Sequence, residues 1–191
     1  MLLSSKINIL MIVTDHLKTL RNNNVIPSPE DRSIWKDIPS SDRLTFIYFP
    51  IFAGCILGFS YPLTRELVNL YATMMSIFAG FLFNLLVLCI DRQKTIQERK
   101  KMPNVAPDLV DRALKSLSEL FSNISFQILL SVLILLLVLI AFFIPECVNN
   151  VCLIGLKICL SWTVYSLFIL FVLTLLMVLK RTYIITQLFV F

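Results

Sequence analysis

Four long runs without a charged side chain constrain this sequence more than any other feature. The runs contain 21, 24, 25 and 22 residues and cover residues 44–64, 67–90, 121–145 and 158–179. About 20 helical residues cross the roughly 30 Å hydrocarbon core of a bilayer. Each run is therefore long enough for one crossing. We predict four transmembrane helices, near residues 44–62, 67–90, 123–145 and 153–179.

The composition supports a membrane protein and indicates which class. Hydrophobic residues make up 58% of the chain and charged residues 15%, against roughly 45–50% and 25% in ordinary soluble domains. Only helices and closed barrels satisfy every backbone hydrogen bond in lipid. The continuous apolar runs lack the alternation that barrel strands require. We therefore expect an all-α integral membrane protein.

The basic residues predict the orientation of the chain in the membrane. Of the 17 Lys and Arg residues, 15 lie before the first span, between the second and third, or after the fourth. Only Arg65 and Lys157 belong to the other side. Because basic residues concentrate on the cytoplasmic side, both termini are expected in the cytoplasm. If the host is a bacterium, the membrane is the inner membrane and the opposite side is the periplasm.

The predicted spans divide the chain into five segments. A cytoplasmic N-terminal helix and linker come first, followed by a transmembrane hairpin, a cytoplasmic helical connection, a second transmembrane hairpin and a cytoplasmic tail, over residues 1–43, 44–90, 91–122, 123–179 and 180–191. Apolar residues at three- and four-residue steps predict amphipathic helices over residues 3–21 and from Pro107 onward. Such a helix docks a partner or the membrane surface, or it packs against the protein's own cytoplasmic segments.

The cytoplasmic connection carries the residues that we expect to bind a partner. They combine a basic run with an apolar stripe and are Arg92, Lys94, Arg99, Lys100, Lys101, Leu109, Leu114 and Leu117. Direct nucleic-acid binding is not expected, because seven basic residues in this connection are matched by five acidic ones. Attraction to anionic lipids of the inner leaflet explains the surplus.

Small residues in the first two spans predict close helix packing. Gly54 and Gly58 form a GxxxG motif, and a second set recurs every four residues as Ala72, Ser76, Gly80 and Asn84. Small side chains let helix backbones approach, and an amide within lipid seeks an interhelical hydrogen bond. These residues either pack the first hairpin within one subunit or form a subunit interface or a polar pore face. We expect a homo-oligomer, such as a tetramer.

Cys147 and Cys152 lie close together on the predicted outer side. They bracket a short loop containing Asn149 and Asn150, and a hairpin of this length allows a disulfide between them. Two free thiols at the helix ends are the alternative. The other three cysteines lie in the spans, where they are expected to pack as small apolar residues.

The sequence contains no combination of residues typical of an enzyme. The only histidine is His16, which has no partner at metal-ligand spacing and is expected to be solvated or to cap a helix. No metal, cofactor or catalytic residue is predicted. Ser161, Thr163 and Ser166 are the candidates to line a narrow pore.

Two stretches of the chain resemble a family of small membrane proteins from bacterial antiphage loci. The stretches are the opening Thr14–Arg21 (TDHLKTLR) and the second-span segment Ser76–Leu88 (SIFAGFLFNLLVL). With the four-span architecture, they are similar to the membrane subunits of Kiwa defence systems. The resemblance implies a homo-oligomer that senses envelope disturbance during phage attachment and holds a cytoplasmic DNA-binding subunit at the membrane.

Two functions from different classes are therefore expected as alternatives, with a housekeeping envelope protein as a third. The first is a non-enzymatic sensor and scaffold that recruits a soluble effector through its cytoplasmic helices. The second is a pore-forming effector that depolarises the cell. The large cytoplasmic segments and very short outer loops favour the scaffold.

Overall fold

The regular elements of the protein are helices throughout the part that the structure describes. The computed structural model describes residues 12–16, 40–99, 107–144 and 151–190. The elements are α1 (residues 12–16), α2 (Ser40–Arg43), a π-helical segment (Leu44–Tyr48), α3 (Phe49–Ser60), α4 (Arg65–Arg99), α5 (Pro107–Phe142) and α6 (Val151–Val190). The prediction of an all-α fold is confirmed for these residues.

Three of the described helices are long and apolar enough to cross a membrane. They lie in α4, α5 and α6 and cover Arg65–Glu98, Val110–Phe142 and Leu153–Tyr183. The remaining predicted span corresponds to a shorter apolar helix, Leu44–Ser60, which is only about 26 Å long at 1.5 Å per residue. It ends at Ser60 because the turn that contains Pro62 follows.

A short π-helical segment, Leu44–Tyr48, joins α2 to α3. Pro50 lies in the first turn of α3, a position where its missing backbone N–H is tolerated. Helical structure continues from Ser40 to Ser60.

The long helices extend beyond the length that a bilayer needs. The helices α4, α5 and α6 contain 35, 36 and 40 residues, so they are about 52, 54 and 60 Å long. The second span continues without a break through residue 99, and a new helix begins at Pro107, as predicted. That new helix does not end before the third span but continues into it without a break.

The chain forms two compact units, each with contributions from the three long helices. The terminal unit contains the described parts of Met1–Arg43, Leu85–Phe126 and Met177–Phe191. The apolar unit contains Leu44–Asn84 and Gln127–Leu176. The boundaries between them therefore fall within helices.

Buried side chains form a regular stripe along α4. They recur every seven residues and are Val68, Met75, Leu82, Cys89 and Ile96. A seven-residue period is typical of helices that pack nearly parallel to their neighbours. In the apolar unit, large side chains such as Ile77, Phe81 and Leu176 are more than half exposed, as expected for a surface that faces lipid.

Candidate functional sites

The two glycines of α3 allow this helix to pack closely against α6. A Cβ atom on Gly58 would lie 2.6 Å from Cα of Trp162, and one on Gly54 would lie 2.6 Å from the backbone nitrogen of Ser166. Only glycine fits at such distances. The indole of Trp162 also donates a 3.1 Å hydrogen bond to the carbonyl of Ile51. The GxxxG motif therefore packs within the subunit, but its partner is α6 and not the second helix of the first hairpin.

Side chains of α6 also hold the turn between α3 and α4. The Ser161 hydroxyl accepts a 3.0 Å hydrogen bond from the backbone N–H of Leu63 and donates to the carbonyl of Lys157. The Tyr165 hydroxyl donates a 2.9 Å hydrogen bond to the carbonyl of Tyr61. These bonds satisfy backbone groups that a turn leaves unpaired, so the end of the hairpin has a defined position against α6.

A cavity of about 440 Å³ lies beside this turn. We call it the aromatic cavity, and it is lined by Leu57, Tyr61, Leu67, Tyr71, Tyr165, Phe168 and Ile169. The Tyr71 ring packs edge-on against Tyr165 and Phe168, with centroids 6.0 and 4.9 Å away. Its lining has no charged side chain. Local sequence patterns do not predict this site, because its residues come from two stretches, 57–71 and 165–169, that are more than 90 positions apart in the chain.

Polar side chains are also buried in the apolar unit. Gln127 is 0% exposed, and its amide nitrogen donates a 3.1 Å hydrogen bond to the carbonyl of Phe171. Its Oε1 has no hydrogen-bond partner among the described residues. The buried hydroxyls of Ser131 and Thr174 donate to carbonyls of their own helices. The signal available in the sequence was the four-residue spacing of Asn123, Gln127 and Ser131.

The only histidine is buried in the terminal unit. His16 is 3% exposed, its Nδ1 lies 2.9 Å from Oδ1 of Asn123, and its ring stacks on Phe126 at a centroid distance of 4.0 Å. The expectation of a solvated or capping histidine is therefore wrong. Asn123 and Phe126 lie three residues apart on one face of α5 and together accommodate the imidazole.

Burial also changes the protonation of this histidine. Desolvation lowers the pKa of His16 to about 4; the hydrogen bond with Asn123 opposes this shift, and the positive charge of Arg181 adds to it. The imidazole is therefore neutral at pH 7, with Nδ1–H donating to the Asn123 oxygen. Arg181 forms a 2.8 Å ion pair with Glu119 in the same unit.

Most of the second set of small residues is exposed. We call Ala72, Ser76, Gly80 and Asn84 the small-residue stripe. Ala72 is half-buried and the other three are exposed, and a Cβ atom on Gly80 would meet no atom within 4 Å. The Ser76 hydroxyl donates to the carbonyl of Ala72.

The predicted partner-binding residues are only partly described. Arg92 and Lys94 are exposed on α4. Leu114 is half-buried, whereas Leu117 is 3% exposed and belongs to the core of the terminal unit. Lys100 and Lys101 lie outside the described residues, as do the side chains of Arg99 and Leu109. Exposed cations that continue the basic surface are Arg112 and Lys115 on α5.

The structure does not describe the predicted disulfide, but it does describe the candidate pore residues. Cys147 and the side chain of Cys152 lie outside the described residues, so their pairing stays a prediction.

The candidate pore residues lie on α6. Ser161 binds the hairpin turn, and Ser166 packs against Gly54. The Thr163 hydroxyl donates to the carbonyl of Cys159. These three side chains therefore have packing and backbone-binding roles within the apolar unit.

Comparison with known proteins gives no relative for the chain. No protein family, no curated protein sequence and no solved structure matches it. A functional interpretation therefore rests on the chain's own geometry, which includes three membrane-length helices, an aromatic cavity, a buried histidine and a largely exposed small-residue stripe.

Proposed function

We propose that the chain is a non-enzymatic membrane scaffold of a bacterial antiphage system. In this proposal the apolar unit spans the inner membrane, and the terminal unit lies in the cytoplasm and holds a soluble effector. The observation that carries the proposal is the length of α4, α5 and α6. Each is at least about 20 Å longer than a hydrocarbon core requires, and the excess contributes to a second unit with its own core.

The terminal unit has the properties of a docking module. Its buried apolar residues are on α4, α5 and α6 and include Ile96, Leu117 and Val178. On α4 and α5 its described surface carries the exposed cations Arg92, Lys94, Arg112 and Lys115. Such a surface attracts an acidic partner or anionic lipid headgroups. The same charges are those that predict a cytoplasmic location by the positive-inside rule.

The small-residue stripe supports assembly of several copies. Ser76, Gly80 and Asn84 are exposed on α4, and a Cβ atom on Gly80 would meet no atom within 4 Å. A small-residue face with an amide is typical of helix association in lipid. Because all copies would share one membrane plane, a closed cyclic oligomer is expected.

The scaffold function is tested in cells that carry the native locus. The double variant Arg92→Glu with Lys94→Glu should release cytoplasmic partners from the membrane fraction and weaken protection in phage plating. Lys180→Glu is the matched control, because Lys180 is an exposed cation of the same unit on α6, and it should retain both properties.

Two outcomes would contradict the scaffold. One is full protection by a double variant that no longer retains any partner. The other is ion conductance by the purified wild-type chain alone in liposomes, which would favour the pore-forming function.

A further inference from the structure

The aromatic cavity is an open, apolar groove in the surface of the apolar unit. It has a volume of about 440 Å³. That volume lies in the range of small-molecule sites. Tyr61 in its wall is 67% exposed, so the cavity is accessible from the surface of the apolar unit.

The chemistry of the lining favours a hydrocarbon occupant over water. A buried water needs two to four polar partners. The polar side-chain atoms of the lining are three tyrosine hydroxyls, and the Tyr165 hydroxyl already donates to the carbonyl of Tyr61. Around membrane-spanning helices the surrounding hydrocarbon is lipid. An acyl chain therefore fits the cavity.

A cation on the same face of α6 indicates the headgroup. Lys157 is half-buried and has no ion-pair partner among the described residues. It precedes Ser161, Tyr165 and Phe168 at steps of four, four and three residues, which places them on one helix face. Lys157 lies about 12 Å along the axis from Tyr165, a separation suited to a phosphate above a buried chain.

We propose that the aromatic cavity binds one acyl chain of an anionic phospholipid whose phosphate pairs with Lys157. The site belongs entirely to the apolar unit, since both walls come from Leu44–Asn84 and Gln127–Leu176. It rests on the membrane insertion in the proposed function and is independent of any partner at the terminal unit.

The test uses native mass spectrometry of the purified full-length protein after delipidation and titration with defined lipids. Phosphatidylglycerol should bind more tightly than phosphatidylcholine with identical acyl chains. Leu67→Trp fills the cavity and should remove the tight lipid adduct. Leu70→Trp is the matched control, because Leu70 is on the same helix, is 54% exposed and does not line the cavity. It should bind like wild type.

The headgroup contact is tested by a second pair of variants. Lys157→Gln should weaken phosphatidylglycerol binding about fivefold, as expected for loss of one cation near a lipid phosphate, and leave phosphatidylcholine unchanged. Lys180→Gln in the terminal unit should alter neither. If Leu67→Trp loses helicity in circular dichroism, a second cavity-filling variant replaces it. This variant is Ile169→Trp, and its exposed control is Leu176→Trp.

Two results overturn the proposal. Equal lipid retention by a folded cavity-filling variant and its exposed control excludes a lipid in the cavity. Equal affinity for the two lipids in wild type, with no effect of Lys157→Gln, excludes the phosphate contact. Partner release is measured separately in cells. A failure of the scaffold function can therefore be distinguished from a failure of lipid binding.

Discussion

The terminal unit and the apolar unit bury polar groups in different ways. In the terminal unit, polar side chains bind one another and include ionisable groups, as in the His16–Asn123 and Arg181–Glu119 pairs. In the apolar unit, side chains bind backbone carbonyls, as Trp162 and Tyr165 do. Backbone carbonyls do not titrate, so the hydrogen bonds that they accept do not depend on pH. We therefore expect acid and salt to destabilise mainly the terminal unit. Changes of side-chain volume should destabilise mainly the apolar unit.

The largest expected effect is overpacking of the apolar unit at the contact of α3 with α6. Gly58→Leu should destabilise the protein by about 3 kcal/mol or more, because its Cβ would meet the backbone of Trp162 at 2.6 Å. Gly80→Leu is the control, since a Cβ there meets no atom within 4 Å, and it should insert and melt like wild type. The measurement is thermal unfolding in mild detergent. Equal melting of the two variants would show that α3 does not pack on α6 through Gly58.

The next effect is acid release of α1 in the terminal unit. The pKa of His16 is lowered to about 4 from an ordinary 6.5. The neutral imidazole therefore stabilises the packing of α1 in full above pH 6.5. This stabilisation is lost progressively as the pH falls toward 4. Hydrogen–deuterium exchange of residues 12–16 should therefore accelerate over this interval. His16→Phe keeps a ring beside Phe126 and should give a flat profile, and an unchanged pH profile in that variant would contradict the assignment.

Removing the hydrogen-bond partner of this histidine should have a smaller effect at neutral pH. Asn123→Ala leaves the buried imidazole Nδ1 without this acceptor and should weaken docking of α1 by about 1–3 kcal/mol. Limited proteolysis of the N-terminal segment measures the change. Ser122→Ala, at a half-buried neighbouring position, is the control and should be cleaved at the wild-type rate.

Asn84→Leu should affect assembly without affecting the subunit. The Asn84 amide has no hydrogen bond within the described chain, so the variant loses nothing internally. An interhelical bond between copies would contribute about 0.6–2 kcal/mol. Native mass spectrometry should show a shift toward smaller assemblies, with Asn69→Leu, an exposed amide on the same helix, as control. An unchanged distribution would remove Asn84 from the interface.

The smallest effect concerns the ion pair of the terminal unit. Glu119→Gln should cost about 0–1 kcal/mol at low salt, because both partners are partly exposed at 29% and 21%. The difference from wild type should vanish at high salt, where screening removes the interaction. A salt-independent difference in unfolding would indicate that Glu119 stabilises the unit by packing.

Local sequence patterns were sufficient to predict the helical architecture, but they did not predict which residues come together in the candidate sites. The absence of charges located the three long helices, and the proline at residue 107 located the start of α5. His16 is expected from the sequence to be solvated or to cap a helix, because no residue near it in the chain is a partner. Its contacts, Asn123 and Phe126, are over 100 residues away. The GxxxG motif predicted close packing correctly, but a motif on one helix does not specify which helix approaches it.

The sequence by itself determined that this chain is helical and suited to a membrane, because uncharged length and hydropathy act locally along each helix. Only the tertiary structure decided which glycines are internal, which small-residue stripe stays exposed, and which tyrosines form a cavity. The physical reason is that a residue is buried only where another part of the chain packs against it. Gly58 and Gly80 are both small residues in apolar helices, yet only Gly58 has the backbone of Trp162 against it.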